Sequence, residues 1–392
     1  MIKVIKNVEL YTPFYKGKKV VVLANDKIEG VYDDLEIPEN FLEIDVIDGE
    51  GLIAAPGFID SHVHIMGAGG EDGFNSRTPE IGLTEFIKGG TTTVVGCIGT
   101  DGITRDGKAL LAKANALEKE GVTAYCYTGS YDIPVRTVTE NIKSDIILLH
   151  KVIGVGEVAL CDNRSSQPTY EEFLKVVANA RVGGLLSGKA GIVNVHLGNG
   201  DRGLEYLFKI KKEGEIPLEQ LLPTHVNRKE SLFKEAIIYA KGGGYVDLTT
   251  ASDPEHLEQD EVKASTGLRR MLEEKVPLKH ISFSSDGNGS LPIFDDKNQI
   301  VGVGICFPES LYREFKDSVL VEKLPLEKVI QVVTSNVAHI LKLENKGTIE
   351  KGKDGDIILL TKDTLEIDTV IAKGRFLMKN KKLLANGTFE KI

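Results

Sequence analysis

A (β/α)8 TIM-like barrel carrying a small β-sandwich built from both chain ends is the α/β fold class this sequence predicts. Eight apolar, β-branched runs alternate with helical stretches through the middle of the chain, the number a closed parallel barrel requires. Both ends are rich in short strands, and neither is long enough to bury a comfortable core alone. The length of 392 residues exceeds one ordinary core but suits a barrel with a satellite. An open doubly wound sheet is the alternative reading of the same alternation.

The N-terminal strands are read from "MIKVIKNVEL", "KKVVVLAND", "KIEGVYDD" and "FLEIDVIDGEG", and the C-terminal ones from "DGDIILLTKD", "LEIDTVIAKGRFLMKN" and "KKLLANGTFEKI". These place the sandwich at residues 1–55 plus 345–392 and the barrel at 56–344. The barrel strands are expected at "GFIDSHVH", "TTTVVGCIG", "TAYCYTGSY", "VIGVGEVAL", "GIVNVHLG", "LLPTHVN", "YVDLTT" and "HISFSSDG". Helical periodicity follows most of them, as in "DGKALLAKANALEKEG", "TYEEFLKVVANA" and "KESLFKEAIIYAKGGG", and "VIQVVTSNVAHILKL" reads as one late helix.

A formal net charge of −10 argues against nucleic acid or an anionic membrane as the main partner, because both reward a basic surface. No apolar run reaches the length of a membrane span, and "MIKVIKNVEL" lacks the pattern of a signal peptide, so a cytoplasmic protein is expected. Four scattered cysteines with no C-x-x-C pair point to reduced thiols and away from a cysteine-based zinc site.

The eight histidines are unequal. His62 and His64 close the first strand as "DSHVH", and residues i and i+2 of a strand face the same way. Alone, such a pair is as readily two packed histidines. His196 ends the fifth strand run, His225 the sixth, and Asp286 the eighth. The C-terminal strand ends of a barrel share the face that carries active sites, so four imidazoles and a carboxylate meet there in a set suited to zinc. His150, His256, His280 and His339 fall at strand starts, in a charged run or in a helix, and are read as structural or surface residues.

"PGFIDSHVH", the later histidines, "SSDGNGS" and "GTIEKGKDGDIILL" resemble the amidohydrolase superfamily. "GGEDGFNSRTPE", "VVGCIGTDGITR", "TGSYDIPVRT", "DNRSSQPT", "RVGGLLSGKAG", "LLPTHVNR" and "SSDGNGSLP" are similar to signatures of the isoaspartyl (β-aspartyl) dipeptidase family, nearly end to end. The resemblance implies two zinc ions, a bridging hydroxide, and hydrolysis of peptides in which aspartate is linked through its side-chain carboxyl. His62, His64 and Asp286 are then expected on one ion, and His196 and His225 on the other. Asp286 would also act as general base and acid, and Tyr131 as donor to the carbonyl oxygen, although a surface loop aromatic is the plainer reading of that tyrosine. Such a substrate carries an ammonium and two carboxylates. Glu71 suits the ammonium, Arg164 and Arg228 the carboxylates, and Thr100 and Ser290 supply hydroxyl donors. The family forms homo-oligomers, so one is expected here.

Two glycine motifs mislead. "GGLLSGKA" nearly spells a phosphate loop but follows a helix and has Ala190 where a hydroxyl belongs. "GVGEVA" resembles a dinucleotide fingerprint, but its continuation stays β-branched and apolar. It is read instead as a barrel strand carrying Glu157. The resembled family bridges its two metals with a carboxylated lysine on this strand. Here the position falls on Glu157, while Lys151 lies at the wrong end. Glutamate offers the same two-oxygen anion but is shorter by three chain atoms, roughly 3–4 Å. Gly154, Gly156 and one extra strand residue are expected to bring the backbone closer. The rival readings are another amidohydrolase substrate, such as a cyclic amide or an N-acyl amino acid, and a non-catalytic assembly protein. Neither needs Glu71 together with both arginines.

Overall fold

The computed structural model describes residues 1–38, 43–251, 260–294 and 300–391. His256 lies outside them. Eight parallel strands form the barrel-like centre: β1 (Phe58–Val63), β2 (Thr91–Gly96), β3 (Thr123–Thr128), β4 (Val152–Leu160), β5 (Ile192–Leu197), β6 (Leu221–Thr224), β7 (Val246–Thr249) and β8 (Ile281–Ser284). β1 to β6 make one sheet in sequence order, and β7 pairs with β8. The Val226 N–H donates to the Asp247 C=O at 3.4 Å, joining the ends of β6 and β7. The His64 N–H donates to the Gly287 C=O at 2.8 Å, joining β8 back to β1. Every residue of these strands except Tyr125 is buried, as expected of a parallel sheet covered on both faces.

A helix follows each strand: α1 (Leu83–Lys88), α2 (Gly107–Glu120), α3 (Ile142–Leu148), α4 (Tyr170–Ser187), α5 (Glu205–Glu213), α6 (Glu230–Lys241), α7 (Ala264–Glu273) and α8 (Glu309–Leu320). Local chemistry sets their limits. Asp106 caps α2 by accepting from the Ala109 N–H, and Leu110, Ala114 and Leu117 bury one stripe of it. A Thr169–Glu172 capping box opens α4, and Gly188, at φ +71°, closes it. The glycines of "GGLLSGKA" therefore lie inside and at the end of this helix. A Cβ on Gly184 would come within 2.8 Å of the Gly191 backbone, so close helix–strand packing explains the motif.

Three features differ from the sequence expectations. The late helix is two, α9 (Leu326–Val333) and α10 (Ser335–Ile340), parted at Thr334. There the backbone leaves helical angles and the side chain turns back to the Ile330 C=O. An antiparallel hairpin, Ser290–Phe294 with Ile300–Ile305, stands between β8 and α8. Leu52–Pro56 is a further strand, parallel to Ile2–Tyr11 and antiparallel to Ile357–Thr361. Through it, strands from both chain ends join one nine-stranded sheet. Ile5, Val8, Leu10, Val21, Leu23, Ile357, Leu359 and Ile371 are buried together in its core, each side chain contributing about 1.5–3 kcal/mol.

Candidate metal centre and substrate pocket

The C-terminal ends of the barrel strands gather the residues singled out in the sequence. His62 lies in β1 and His64 just follows it, His196 lies in β5, and His225 follows β6. His225 and Asp286 adopt left-handed backbone conformations, at φ +61° and +51°. Non-glycine residues hold these only where the surroundings impose them, often at functional sites. Glu157, in β4, is 1% exposed. β4 carries one residue more than β5 at this point: Val193 is opposite Val155, but Val195 is opposite Val158. This bulge turns the Glu157 carboxylate towards the histidines.

That carboxylate reaches all four imidazoles. Its Oε1 lies 3.3 Å from His64 Nε2, and its Oε2 lies 2.9 Å from His196 Nδ1, 3.4 Å from His62 Nε2 and 3.7 Å from His225 Nε2. Asp286 Oδ1 is 3.0 Å from His64 Nε2 and 3.5 Å from His62 Nε2. Burial works against charge throughout this cluster. Its own ions prevail at Glu157, held well below the carboxylate range by His62 and His196, and at Asp286, held there by His225, His62 and His64. His225 is pushed down to about 3, by burial and by Arg228.

This donor set fits metal. His62 Nε2, His225 Nε2 and Glu157 Oε1 are buried without a hydrogen-bond partner among the described residues. Each such atom costs about 1–3 kcal/mol unless a cation answers it. The far nitrogens are fixed: His62 Nδ1 is 3.0 Å from Asn194 Oδ1, and His225 Nδ1 is 2.5 Å from Thr249 Oγ1. Anchoring one ring nitrogen to present the other is how proteins hold imidazole ligands.

Above the cluster the substrate candidates touch one another. Glu71 Oε1 accepts from Thr100 Oγ1 at 3.0 Å and pairs with Arg164 Nη1 at 3.3 Å, and its Oε2 accepts from Ser290 Oγ at 3.4 Å. Arg164 also grips Asp162 through Nε and Nη2, at 2.9 and 2.8 Å. Arg228 Nη1 lies 3.3 Å from His196 Nε2. Tyr131 is buried rather than a surface aromatic, its hydroxyl 2.9 Å from His196 Nδ1 and the Arg164 guanidinium over its ring. Burial and Glu157 push its phenol far up, so it stays a protonated donor. Glu71, Asp162, Arg164, Arg228 and Ser290 line a cavity of about 1420 Å³. His225, Asp286, Arg228 and Ser290 line an adjoining one of about 750 Å³.

The amidohydrolase family model matches residues 53–377. This chain belongs to the amidohydrolase family. Its fold is accordingly TIM-barrel-like. Two crystal structures of a β-aspartyl dipeptidase from the keratin-degrading thermophile Fervidobacterium islandicum AW-1 are similar to it over 100% of both chains. One, in complex with a β-Asp-Leu dipeptide, is 46% identical with a TM-score of 0.91. The other is 44% identical with a TM-score of 0.90. A dihydroorotase from Listeria welshimeri serovar 6b is 24% identical, over 91% of this chain and 89% of its own.

The resemblance read from the motifs therefore holds. Of the residues that touch the cluster, sequence reading missed Asn194, Thr249, Asp162 and Cys97. Asn194 lies two residues before His196 on the same strand face, a signal that was available. Cys97, which the sequence reading set aside with the other cysteines, groups with His62, His64 and Glu157. Its spacing from other cysteines says nothing about the strand end it occupies. Lys151 is at the start of β4, donating to the Ala124 C=O and pairing with Glu118, away from the cluster.

Proposed function

We propose that this chain hydrolyses β-aspartyl dipeptides with two zinc ions; His62, His64 and Asp286 would hold one, His196 and His225 the other, and Glu157 would serve both. The observation that carries this reading is the contact of Glu71 with Arg164, Thr100 and Ser290, joined to the histidine cluster through Asp162, which pairs with Arg164 and lies 3.0 Å from His196 Nε2. A dipeptide with one ammonium and two carboxylates needs one acid and two arginines there. A neutral cyclic amide does not, and a scaffold protein needs none of it. The similarity to a structure holding β-Asp-Leu supports the same substrate class.

Bound zinc supplies Lewis acidity and a water of lowered pKa. The remaining work belongs to the chain. Glu71 receives the substrate ammonium, while Arg164 and Arg228 take the carboxylates in bidentate pairs. Tyr131 donates to the scissile carbonyl oxygen as it gains negative charge. Asp286 accepts a proton from the attacking water and delivers it to the departing amine nitrogen; the C–N bond breaks, and the proton of the new carboxyl group passes to the amine, leaving a side-chain carboxylate and an ammonium. We assign residues 56–344 to this barrel, and residues 1–55 with 345–392 to a small β-sandwich domain.

The test is purification with metal analysis, followed by assay of β-Asp-Leu beside α-Asp-Leu and a neutral cyclic amide. Cleavage of β-Asp-Leu alone is expected. Equal rates on the two dipeptides, preference for the cyclic amide, or no cleavage would overturn the proposal.

A further inference from the structure

Cys97 is the first residue after β2, on the rim of strand ends that carries the histidines, and it is fully buried. Its N–H donates to the Val63 C=O at 3.0 Å, between His62 and His64, which fixes the thiol beside them. Its sulfur lies 3.8 Å from His64 Nδ1. Donor atoms of Cys97, His62, His64 and Glu157 all fall within 4.8 Å of one another. Among the described residues no other cysteine joins such a group: Cys161 donates to the Gly203 C=O.

A second observation points into the same space. Two members of this group, His62 Nε2 and Glu157 Oε1, are buried and lack hydrogen-bond partners, although His62 is anchored at its other nitrogen. A thiol set among unanswered lone pairs is placed to share a cation with them. Charge agrees. Two divalent ions carry +4, and Glu157 and Asp286 return only −2, so even with a hydroxide the sum stays positive. A thiolate removes one more unit of excess charge. Zinc binds a mixed set of nitrogen, oxygen and sulfur readily, since it is borderline soft and imposes no geometry of its own.

We propose that Cys97 Sγ is a direct ligand of the metal held at His62 and His64. The centre is then a sulfur-containing one rather than the nitrogen–oxygen set implied by the histidines and carboxylates alone. Thiophilic cadmium should compete with zinc at this site, and thiol oxidation should release metal. The inference rests on the reading that the cluster holds metal, and its test separates the two.

The experiment is zinc-edge X-ray absorption on the full-length, zinc-loaded protein, with Cys97→Ser and Cys97→Ala beside it. A sulfur shell at about 2.3 Å is expected in the wild-type spectrum and absent from both variants. The variants should also bind zinc about 10–100-fold more weakly by competition with a chelator. A wild-type spectrum with only nitrogen and oxygen neighbours at about 2.0–2.2 Å would overturn the proposal even if neither variant folds. So would a sulfur shell that persists in Cys97→Ala. Failure of the wild-type protein to take up zinc would overturn the metal reading itself.

Discussion

Glu157 is a carboxylate buried at 1% exposure with four imidazoles about it. Left alone, such a charge would cost several kcal/mol, and only cations on its several sides repay that. Because it is a genetically encoded anion, metal loading and activity should be indifferent to bicarbonate. Glu157→Gln keeps the volume and removes the charge, so bound metal should fall to one equivalent or less and turnover should be lost. Metal analysis and assays with and without bicarbonate check both. Strict bicarbonate dependence, or two equivalents of metal retained in Glu157→Ala, would remove Glu157 from the bridge. The types and chain positions of the clustered residues His62, His64, His196, His225 and Asp286 were legible because each is a polar residue at the end of an apolar run. Asn194, Thr249 and Cys97 were not, since small polar side chains and thiols are common in barrel strands and acquire a role only from their neighbours.

β4 shows how an element adapts to one residue. The run "VIGVGEVAL" coincides with the strand Val152–Leu160, and its extra residue sits beside Glu157. Its glycines are needed for closeness: a Cβ on Gly154 would come 2.3 Å from the Ile192 C=O, and one on Gly156 would come 2.8 Å from Asn194 Cβ. Gly154→Ala should therefore push β4 from β5, costing about 1–3 kcal/mol as overpacking does. It should also displace Glu157, so that metal content falls along with the thermal midpoint. An unfolding scan paired with metal analysis reads both, and a lowered midpoint with full loading would show that the bulge does not position the bridge. The hairpin after β8 and the break at Thr334 escaped sequence reading for opposite reasons. The hairpin's strands pair mainly with each other, whereas Thr334 sits in an unbroken helical pattern that only its hydroxyl and its packing interrupt.

At the scale of the molecule, the chain ends are held to the barrel by polar groups as well as by apolar ones. Lys346 is 3% exposed at its side chain and pairs with Asp354 and Asp356 at 2.8 and 2.5 Å. It also donates to Thr123 Oγ1, the first residue of β3, at the barrel end away from the histidine cluster. Lys346→Met leaves two buried carboxylates short of a cation, and Asp354 keeps only its second partner, Lys27. Stability should drop by about 3–5 kcal/mol in denaturant titration, while kcat of the folded fraction stays near wild type. A loss of kcat at full folding would mean that the terminal sheet shapes the active site.

The sequence by itself determined the count of barrel strands, the face on which the four histidines meet, and the charge types of the side chains gathered beside them. Those depend on local periodicity and on residue type. Tertiary structure alone decided that Leu52–Pro56 ties the two chain ends into one sheet, that Glu157 reaches all four histidines, and that Cys97 enters the same cluster. Each of these joins residues far apart in the chain at separations of a few ångströms, and only the closing of the strands against one another sets such separations.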